Sequence, residues 1–187
     1  MLYFTIKFSQ KNDDGICMDY IKKIVAFTVV LVFLAACSQN SDESLYQEAK
    51  SKIADGNYVG AINDYKKIVS DFPKSNYAAS TKFELGKLYQ GHVLPKIPRE
   101  ESMKEAIKYY TQVNTEYPDS VEAINSLFMI AFLEANEIGN LDKARETYEE
   151  FIKRYPDHEL AVSARAELNN LGKTPEEILQ EKFSKSE

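Results

Sequence analysis

The pattern that most constrains this chain is a short motif that ends three helix-length stretches. An aromatic residue and a proline precede two polar residues, as Phe72-Pro73-Lys74-Ser75, Tyr117-Pro118-Asp119-Ser120 and Tyr155-Pro156-Asp157-His158. Twelve residues before each proline stands an alanine, and eight residues before it stands a tyrosine: Ala61, Ala106 and Ala144, then Tyr65, Tyr110 and Tyr148. Because proline lacks an amide N–H and disfavours helical geometry at the residue before it, each motif ends a helix.

This register resembles the tetratricopeptide repeat, a helix–turn–helix unit of about 34 residues that stacks into a superhelix. The resemblance implies an all-α fold of about three repeats and a C-terminal capping helix. The predicted ranges are 44–75, 77–118 and 120–158 for the repeats, 159–171 for the cap, and 172–187 for a polar tail with a short helix. Stacked repeats form extended surfaces that bind other chains. The sequence therefore predicts an interaction protein.

Repeat one is predicted to have helices over 45–54 and 58–70, joined by a turn at 55–57. In repeat two, Leu85, Gly86 and Tyr89 match the Leu-Gly-x-x-Tyr of the family's first helix. Twenty residues separate Gly86 from Ala106, where the repeat expects twelve. The extra residues fall in 90–100, which contains two prolines and a glycine, so a longer loop replaces the turn there. The three alanines of the register are small because two helix backbones approach at each of them.

Repeat three is predicted to have a long first helix over 120–137, a turn at Gly139-Asn140, and a second helix that carries Ala144, Tyr148 and Phe151. The residues expected to be buried in the first helix are Val121, Ile124, Leu127, Phe128, Ala131, Phe132 and Ala135. After the cap, Thr174-Pro175-Glu176-Glu177 is typical of a helix start with a capping box.

The N-terminal region predicts export. From Met18 a basic start precedes an apolar run from 24 to 33, which is too short to span a bilayer and is typical of a secretory signal peptide. The following Leu34-Ala35-Ala36-Cys37 resembles the lipobox of bacterial lipoproteins. The resemblance implies cleavage of 18–36, acylation of Cys37 and a polar tether over 37–43. The alternative is an ordinary signal peptide with a chance cysteine. Residues 1–17 suit neither part and are interpreted as a non-native upstream extension.

Composition and motifs argue against several other functions. From Cys37 onwards the chain has 19 basic and 26 acidic residues, a net charge of −7 without a basic stripe, which argues against nucleic acid as a partner. His158-Glu159 begins a zinc-protease pattern, but Val162 stands where the second histidine would be. No nucleophile elbow or phosphate-binding glycine loop is present in the sequence. We therefore expect no catalytic residues, no metal site, no cofactor and no small-molecule substrate.

Most of the aromatic residues are spaced as repeat core. In this family, however, the inner face of each first helix lines a concave groove, and an apolar groove suits a peptide or helix. The positions transferred from the family are Tyr46 and Lys50 in repeat one, Ser80, Phe83, Lys87 and Gln90 in repeat two, and Ser126, Met129, Leu133 and Asn136 in repeat three. The apolar groove residues are expected to have no core role. The competing site is the loop over 90–100, with Val93, Leu94 and Ile97.

A lipobox followed by such repeats looks like the envelope lipoproteins of the BamD type, which help to insert β-barrel proteins into the outer membrane. The same repeat style is similar to the YbgF (CpoB) proteins of the Tol–Pal system. The first resemblance implies a lipid-anchored scaffold at the periplasmic face of the outer membrane, with protein partners in the envelope. Ser38 after the cysteine agrees with that destination by analogy with enterobacterial sorting. The alternative is an adaptor for Tol–Pal and cell division, peptidoglycan or a pilus.

Overall fold

The computed structural model describes residues 41–184, apart from the side chain at position 182. Residues 1–17, the predicted signal peptide and Cys37 lie outside the described residues. All regular structure in the described part is helical, which confirms the predicted all-α fold. The elements are α1 Asp42–Ala54, α2 Tyr58–Asp71, α3 Ala78–Gln90, α4 Arg99–Glu116, α5 Val121–Leu133, a π-helical turn Glu134–Ile138, α6 Leu141–Arg154, α7 Leu160–Asn170 and α8 Pro175–Ser184.

The three aromatic-proline motifs end their helices with the same backbone geometry. Phe72, Tyr117 and Tyr155 have φ of −129°, −133° and −131°, and ψ of 56°, 54° and 56°. Each donates its N–H to the carbonyl four residues earlier, and the residue after the motif's first polar position donates back to the aromatic carbonyl at 2.9–3.2 Å. The repetition therefore extends to single hydrogen bonds, as the shared sequence motif predicts.

A second type of turn joins the two helices of repeats one and three. Gly56 and Gly139 have φ of +74° and +78°, a left-handed conformation that glycine adopts without steric cost. The asparagines that follow, Asn57 and Asn140, accept an N–H from the first turn of α2 and α6 through their side chains. In repeat two the turn is replaced by a loop between Gln90 and Arg99, as predicted.

The repeat register forms the core. Ala61, Ala106 and Ala144 are fully buried, and so are the three tyrosines that follow them by four residues. The first helices have small buried residues at equivalent positions, Ala49, Gly86 and Ala131, and Gly86 lies against the ring of Tyr110. A Cβ added at Gly86 would lie 2.5 Å from that ring.

The first helix of repeat three differs from the prediction. It is α-helical only to Leu133 and then continues as a π-helical turn, which accommodates one extra residue. Twelve residues separate Ala49 from Ala61, whereas thirteen separate Ala131 from Ala144. Val121 was expected to be buried but is 69% exposed, because it is the first residue of α5 and the packed face begins at Ala123.

The capping helix α7 begins like the first helix of another repeat. The N–H of Ala161 is bonded to the carbonyl of His158, as those of Ala78 and Ala123 are bonded to Ser75 and Ser120. Ala161 and Ala164 pack into the hydrophobic cluster around Phe151. The predicted capping box at α8 is also present, with reciprocal hydrogen bonds of 2.7 and 3.2 Å between Thr174 and Glu177. The array therefore continues into α7 before the shorter α8.

Candidate partner-binding surface

One aromatic residue from the first helix of each repeat lies against the buried tyrosine of the second helix. The ring centroids are 5.7 Å apart for Tyr46 and Tyr65, 5.4 Å for Phe83 and Tyr110, and 5.8 Å for Phe128 and Tyr148. All three first-helix rings remain partly exposed. We call the surface that they share the first-helix face and define it by Tyr46, Lys50, Ser80, Phe83, Lys87, Asn125, Phe128 and Phe132.

This geometry corrects the predicted residues of repeat three. Ser126 and Leu133 are buried, with 0% and 1% of their surface exposed, so neither is available to a partner. The positions transferred from the family are one residue too late in repeat three, because the π-helical turn adds a residue between α5 and α6. Counted back from the glycine of the turn, Met129 takes the place of Tyr46. Counted by ring contact, the equivalent is Phe128, and Asn125 and Phe132 then correspond to Ser80 and Lys87.

The expectation that the apolar groove residues have no core role is also wrong. Tyr46, Phe83 and Met129 are partly buried and pack against the first hydrophobic cluster, and Leu133 is part of that cluster. The three partly buried side chains therefore stabilise the fold and also present an edge to the surface. Truncating them would weaken the protein as well as any contact with a partner.

The two lysines of the face occupy equivalent positions. The ammonium nitrogen of Lys50 lies 5.9 Å from the ring centroid of Tyr46, and that of Lys87 lies 5.7 Å from the ring centroid of Phe83. Lys87 also pairs with Glu84 at 2.7 Å. Both lysines are exposed, so their charges are available at the surface. Repeats one and two thus present a cation beside an aromatic ring, whereas repeat three has Phe132 at the equivalent position.

Polar contacts hold neighbouring first helices together. Ser80 on α3 donates a short hydrogen bond to the carboxylate of Glu122 on α5. Tyr46 stacks on Tyr77 with 4.8 Å between ring centroids. Burial and the nearby carboxylate of Glu84 raise the pKa of Tyr46, so its phenol is neutral at physiological pH. The face between repeats one and three is therefore held by contacts between side chains of different helices.

The two remaining predicted positions, Gln90 and Asn136, lie near the ends of their first helices. The side-chain oxygen of Gln90 accepts a hydrogen bond of 2.7 Å from the Tyr110 hydroxyl. Asn136 is exposed in the π-helical turn and donates to the carbonyl of Phe132 at 2.9 Å. Gln90 is thus occupied by an internal bond, and Asn136 is accessible.

The apolar residues in the loop of repeat two have a role in the fold. Val93, Leu94 and Ile97 are partly buried and pack against the first hydrophobic cluster. The backbone of His92 has a φ of +49°. Its ring is hydrogen-bonded through Nε2 to the carbonyl of Ile97 at 2.7 Å. These contacts hold the loop against the core. The first-helix face is preferred because its aromatic residue recurs in three repeats, whereas the loop is found in repeat two alone among the described repeats.

Within residues 41–184, no group of three or more His, Cys, Asp or Glu side chains is arranged to hold a metal ion. Among the same residues, no helix has both the length and the apolar character needed to cross a membrane.

The comparison with known families agrees with this geometry. A family model described as "Tetratricopeptide repeat" matches residues 43–75 and 125–158. The chain contains tetratricopeptide repeats. Repeat two, which carries the inserted loop, falls between the matched ranges.

Three curated relatives are each named outer membrane protein assembly factor BamD. They come from Neisseria gonorrhoeae and from Neisseria meningitidis of serogroup A (strain Z2491) and serogroup B (strain MC58). Each alignment extends over 145 residues at 23% identity and covers 70% of this chain and 52% of the relative. The chain therefore spans about half the length of the curated relatives that it matches.

Sequence reasoning missed two parts of this surface. It did not identify Glu84 and Tyr77, whose contacts depend on how α3 packs against α1. It also misplaced the aromatic of repeat three, for which a signal was present. Nineteen residues separate Tyr46 from Tyr65, whereas Phe128 precedes Tyr148 by twenty. A search for the aromatic nearest to the expected spacing would have found the shift.

Proposed function

We propose that the chain is a scaffold that binds protein partners in the cell envelope through the first-helix face, without catalysis. The observation that carries the proposal is the repetition of one arrangement, an exposed aromatic edge over a buried tyrosine, in three successive repeats. Aromatic side chains are favoured anchors in protein interfaces because they bury a large area at a small cost in conformational entropy. The lysines of repeats one and two add charge beside that stripe.

We further propose that the scaffold is lipid-anchored at the periplasmic face of the outer membrane and acts in outer-membrane protein assembly. The lipobox-like sequence ending at Cys37 supports the anchor. The relatives named as BamD support the pathway. Because those relatives are about twice as long as the matched segment, their whole activity is not carried over to this chain. An adaptor of the Tol–Pal, peptidoglycan or pilus systems is the outcome to be distinguished by experiment.

Partner binding is tested by reversing charge on the exposed part of the face. The variant Lys50→Glu with Lys87→Glu alters two side chains that are not part of the core, so the fold is retained. We expect recovery of specific partners from envelope extracts to fall by about tenfold or more, the size of a hot-spot effect. The matched control is Lys104→Glu with Lys108→Glu, which places the same charges on the exposed side of α4. Equal recovery by both variants would contradict the proposal.

The identity of the captured proteins tests the pathway. Factors that insert β-barrel proteins would support outer-membrane assembly, whereas Tol–Pal, division, peptidoglycan or pilus proteins would support the adaptor role.

The anchor is tested separately with Cys37→Ser. The serine variant should remain uncut at that site and should not incorporate a fatty-acid analogue. Label retained in the serine variant would contradict the lipid anchor and would leave the partner-binding proposal untouched.

A further inference from the structure

A cleft of about 480 Å³ continues the first-helix face at its C-terminal end. It lies between the π-helical turn, the start of α6, the end of α7 and the start of α8. Its lining is Ala135, Asn136, Leu141, Glu167, Asn170, Leu171, Gly172, Lys173, Thr174 and Ile178. A volume of this size is within the range of sites that hold small ligands or single side chains.

One wall of the cleft has a small residue, Ala135. In the register given by the ring contacts, Ala135 corresponds to Gln90 of repeat two. Gln90 fills its site and accepts the hydrogen bond of the Tyr110 hydroxyl. Ala135 cannot form such a bond, and the hydroxyl of the fully buried Tyr148 has no hydrogen-bond partner among the described residues. The hydroxyl of Tyr65 in repeat one lacks a partner among the same residues, so repeat two differs from both of the other repeats in this bond.

The cleft has one acidic and one basic residue in its lining, Glu167 and Lys173. Glu167 on α7 is half-buried at the wall, and none of the ion pairs among the described side chains includes it. Burial raises the pKa of the Tyr148 phenol, and the nearby carboxylate of Glu167 raises it further. The other charged residue, Lys173, is held by Glu181 at 2.6 Å. A positively charged group is attracted more strongly to a half-buried carboxylate than to one that is fully surrounded by water.

The remaining walls suit an apolar stem. Leu141, Leu171 and Ile178 line the cleft together with Ala135. The side chains of Asn136 and Asn170 supply amide groups beside them. Lysine and arginine combine a flexible apolar stem with a cationic end, so that the stem packs on such walls while the charge reaches a carboxylate.

We propose that this cleft binds a lysine or arginine side chain of the partner polypeptide, with the cation on Glu167. The inference rests on the proposed function, since it names the side chain that anchors a partner at the C-terminal end of the first-helix face. Toward its C-terminal end the face lacks lysines and presents Phe128 and Phe132. A basic residue following apolar residues in the partner therefore matches the order in which these features occur.

The test uses the full chain and two blocked dipeptides, N-acetyl-leucyl-lysine amide and the uncharged analogue with norleucine. Amide chemical shifts are followed by NMR during titration. We expect the lysine probe to shift the signals of Ala135, Asn136 and Gly172 in a saturable way. The norleucine probe should bind about fivefold or more weakly, the size of a partly buried ion pair.

Two variants and one control separate the outcomes. Glu167→Gln should abolish the preference for lysine, and Ala135→Gln should fill the cleft and remove the shifts for both probes. Glu149→Gln, which changes an exposed carboxylate on α6, should leave the binding unchanged. The proposal is overturned if norleucine binds as well as lysine, if Glu167→Gln retains the preference, or if neither probe shifts these signals.

Failure of the dipeptide test can be told from failure of the proposed function. Loss of partner recovery with the Lys50 and Lys87 variant, together with a silent cleft, would refute only the basic-side-chain inference. Unchanged partner recovery together with lysine binding in the cleft would refute the first-helix face and retain the cleft.

Discussion

Repeats two and three both depart from the regular unit of repeat one, but they place their extra residues differently. In repeat two the additional residues form a loop between Gln90 and Arg99, after the last residue of the first helix. In repeat three one extra residue is absorbed within the helix itself, as a π-helical turn at Glu134–Ile138. The loop leaves the sequence register of the helix intact, and the π-helical turn shifts it by one residue.

The comparison shows that the contact between the two aromatic rings is kept, although the number of residues between them changes. The ring contact between first and second helix is 5.4 Å in repeat two and 5.8 Å in repeat three, although the residues involved stand at different distances along the chain. The hydrogen bonding of the tyrosine hydroxyl, by contrast, differs between these two repeats. Tyr110 has a hydrogen-bond partner in Gln90, whereas the hydroxyl of Tyr148 has none in the described part of the chain.

The largest effect is expected from alkaline pH, because the same tyrosine is buried in every repeat. Burial raises the pKa of Tyr65, Tyr110 and Tyr148 above the ordinary value of 10.0. As the pH rises, these tyrosines therefore lose their protons in the unfolded chain first. Their contribution to the free energy of unfolding is complete below pH 10 and is lost progressively above it. Each should lower the free energy of unfolding by about 1.4 kcal/mol per pH unit. Urea titrations between pH 9 and 11 measure the slope.

The control compares the two repeats. Tyr110→Phe and Tyr148→Phe should each reduce the slope by the same amount, because both rings are fully buried. An unchanged slope in Tyr148→Phe would mean that repeat three is looser around its tyrosine than repeat two.

Overpacking of the helix crossing in repeat three should have the next largest effect. Ala144 is fully buried where α6 crosses its neighbour, so Ala144→Leu adds volume that the core cannot take. The expected loss is about 3 kcal/mol, measured by urea denaturation. Ala166→Leu, on the exposed side of α7, is the matched control. A parent-like stability of Ala144→Leu would show that the π-helical turn loosens this crossing.

Gly86→Ala should destabilise repeat two by about 2 kcal/mol. The added Cβ would lie 2.5 Å from the buried ring of Tyr110, which has no room to retreat. The reverse change at the equivalent position, Ala131→Gly, should cost only about 1 kcal/mol through helix propensity. Thermal unfolding of the two variants compares the repeats directly, and a stabilised Gly86→Ala would show that the ring of Tyr110 can move.

The smallest effect concerns the hydroxyl groups themselves. Tyr110→Phe removes the hydrogen bond to Gln90 and should cost about 1 kcal/mol at neutral pH. Tyr148→Phe and Tyr65→Phe remove hydroxyls that are buried without a partner among residues 41–184, so they should be neutral or slightly stabilising. A loss in Tyr148→Phe equal to that in Tyr110→Phe would reveal a bound water or another partner at the Tyr148 hydroxyl.

The fold was predictable because proline, glycine and small residues act locally. The helix ends at Phe72, Tyr117 and Tyr155, the turns at Gly56 and Gly139, and the capping box at Thr174 all follow from short-range rules. The candidate surface was only partly predictable. Tyr46, Phe83 and Lys87 were placed correctly on the first helices, because α1 and α3 are regular.

Ser126 and Leu133 were wrongly predicted to line the groove. The π-helical turn that shifts the register depends on how two helices pack, and no single residue of the sequence predicts it. The cleft also could not be predicted, since its lining comes from the π-helical turn, α6, α7 and α8, and depends on how these elements pack. The role of Glu84 could not be predicted either, because the tyrosines whose pKa values it raises, Tyr46 and Tyr65, lie on α1 and α2.

The most direct test of the first-helix face is site-specific photocrosslinking in intact cells. A photoreactive residue is placed in turn at Lys50, Lys87 and Asn125 on the face, at Leu94 in the loop, and at Lys108 on α4 as the control. The account predicts crosslinked partners from the three face positions and none above background from Lys108. Crosslinks confined to Leu94, with Lys50, Lys87 and Asn125 silent, would contradict it and would make the inserted loop the binding surface.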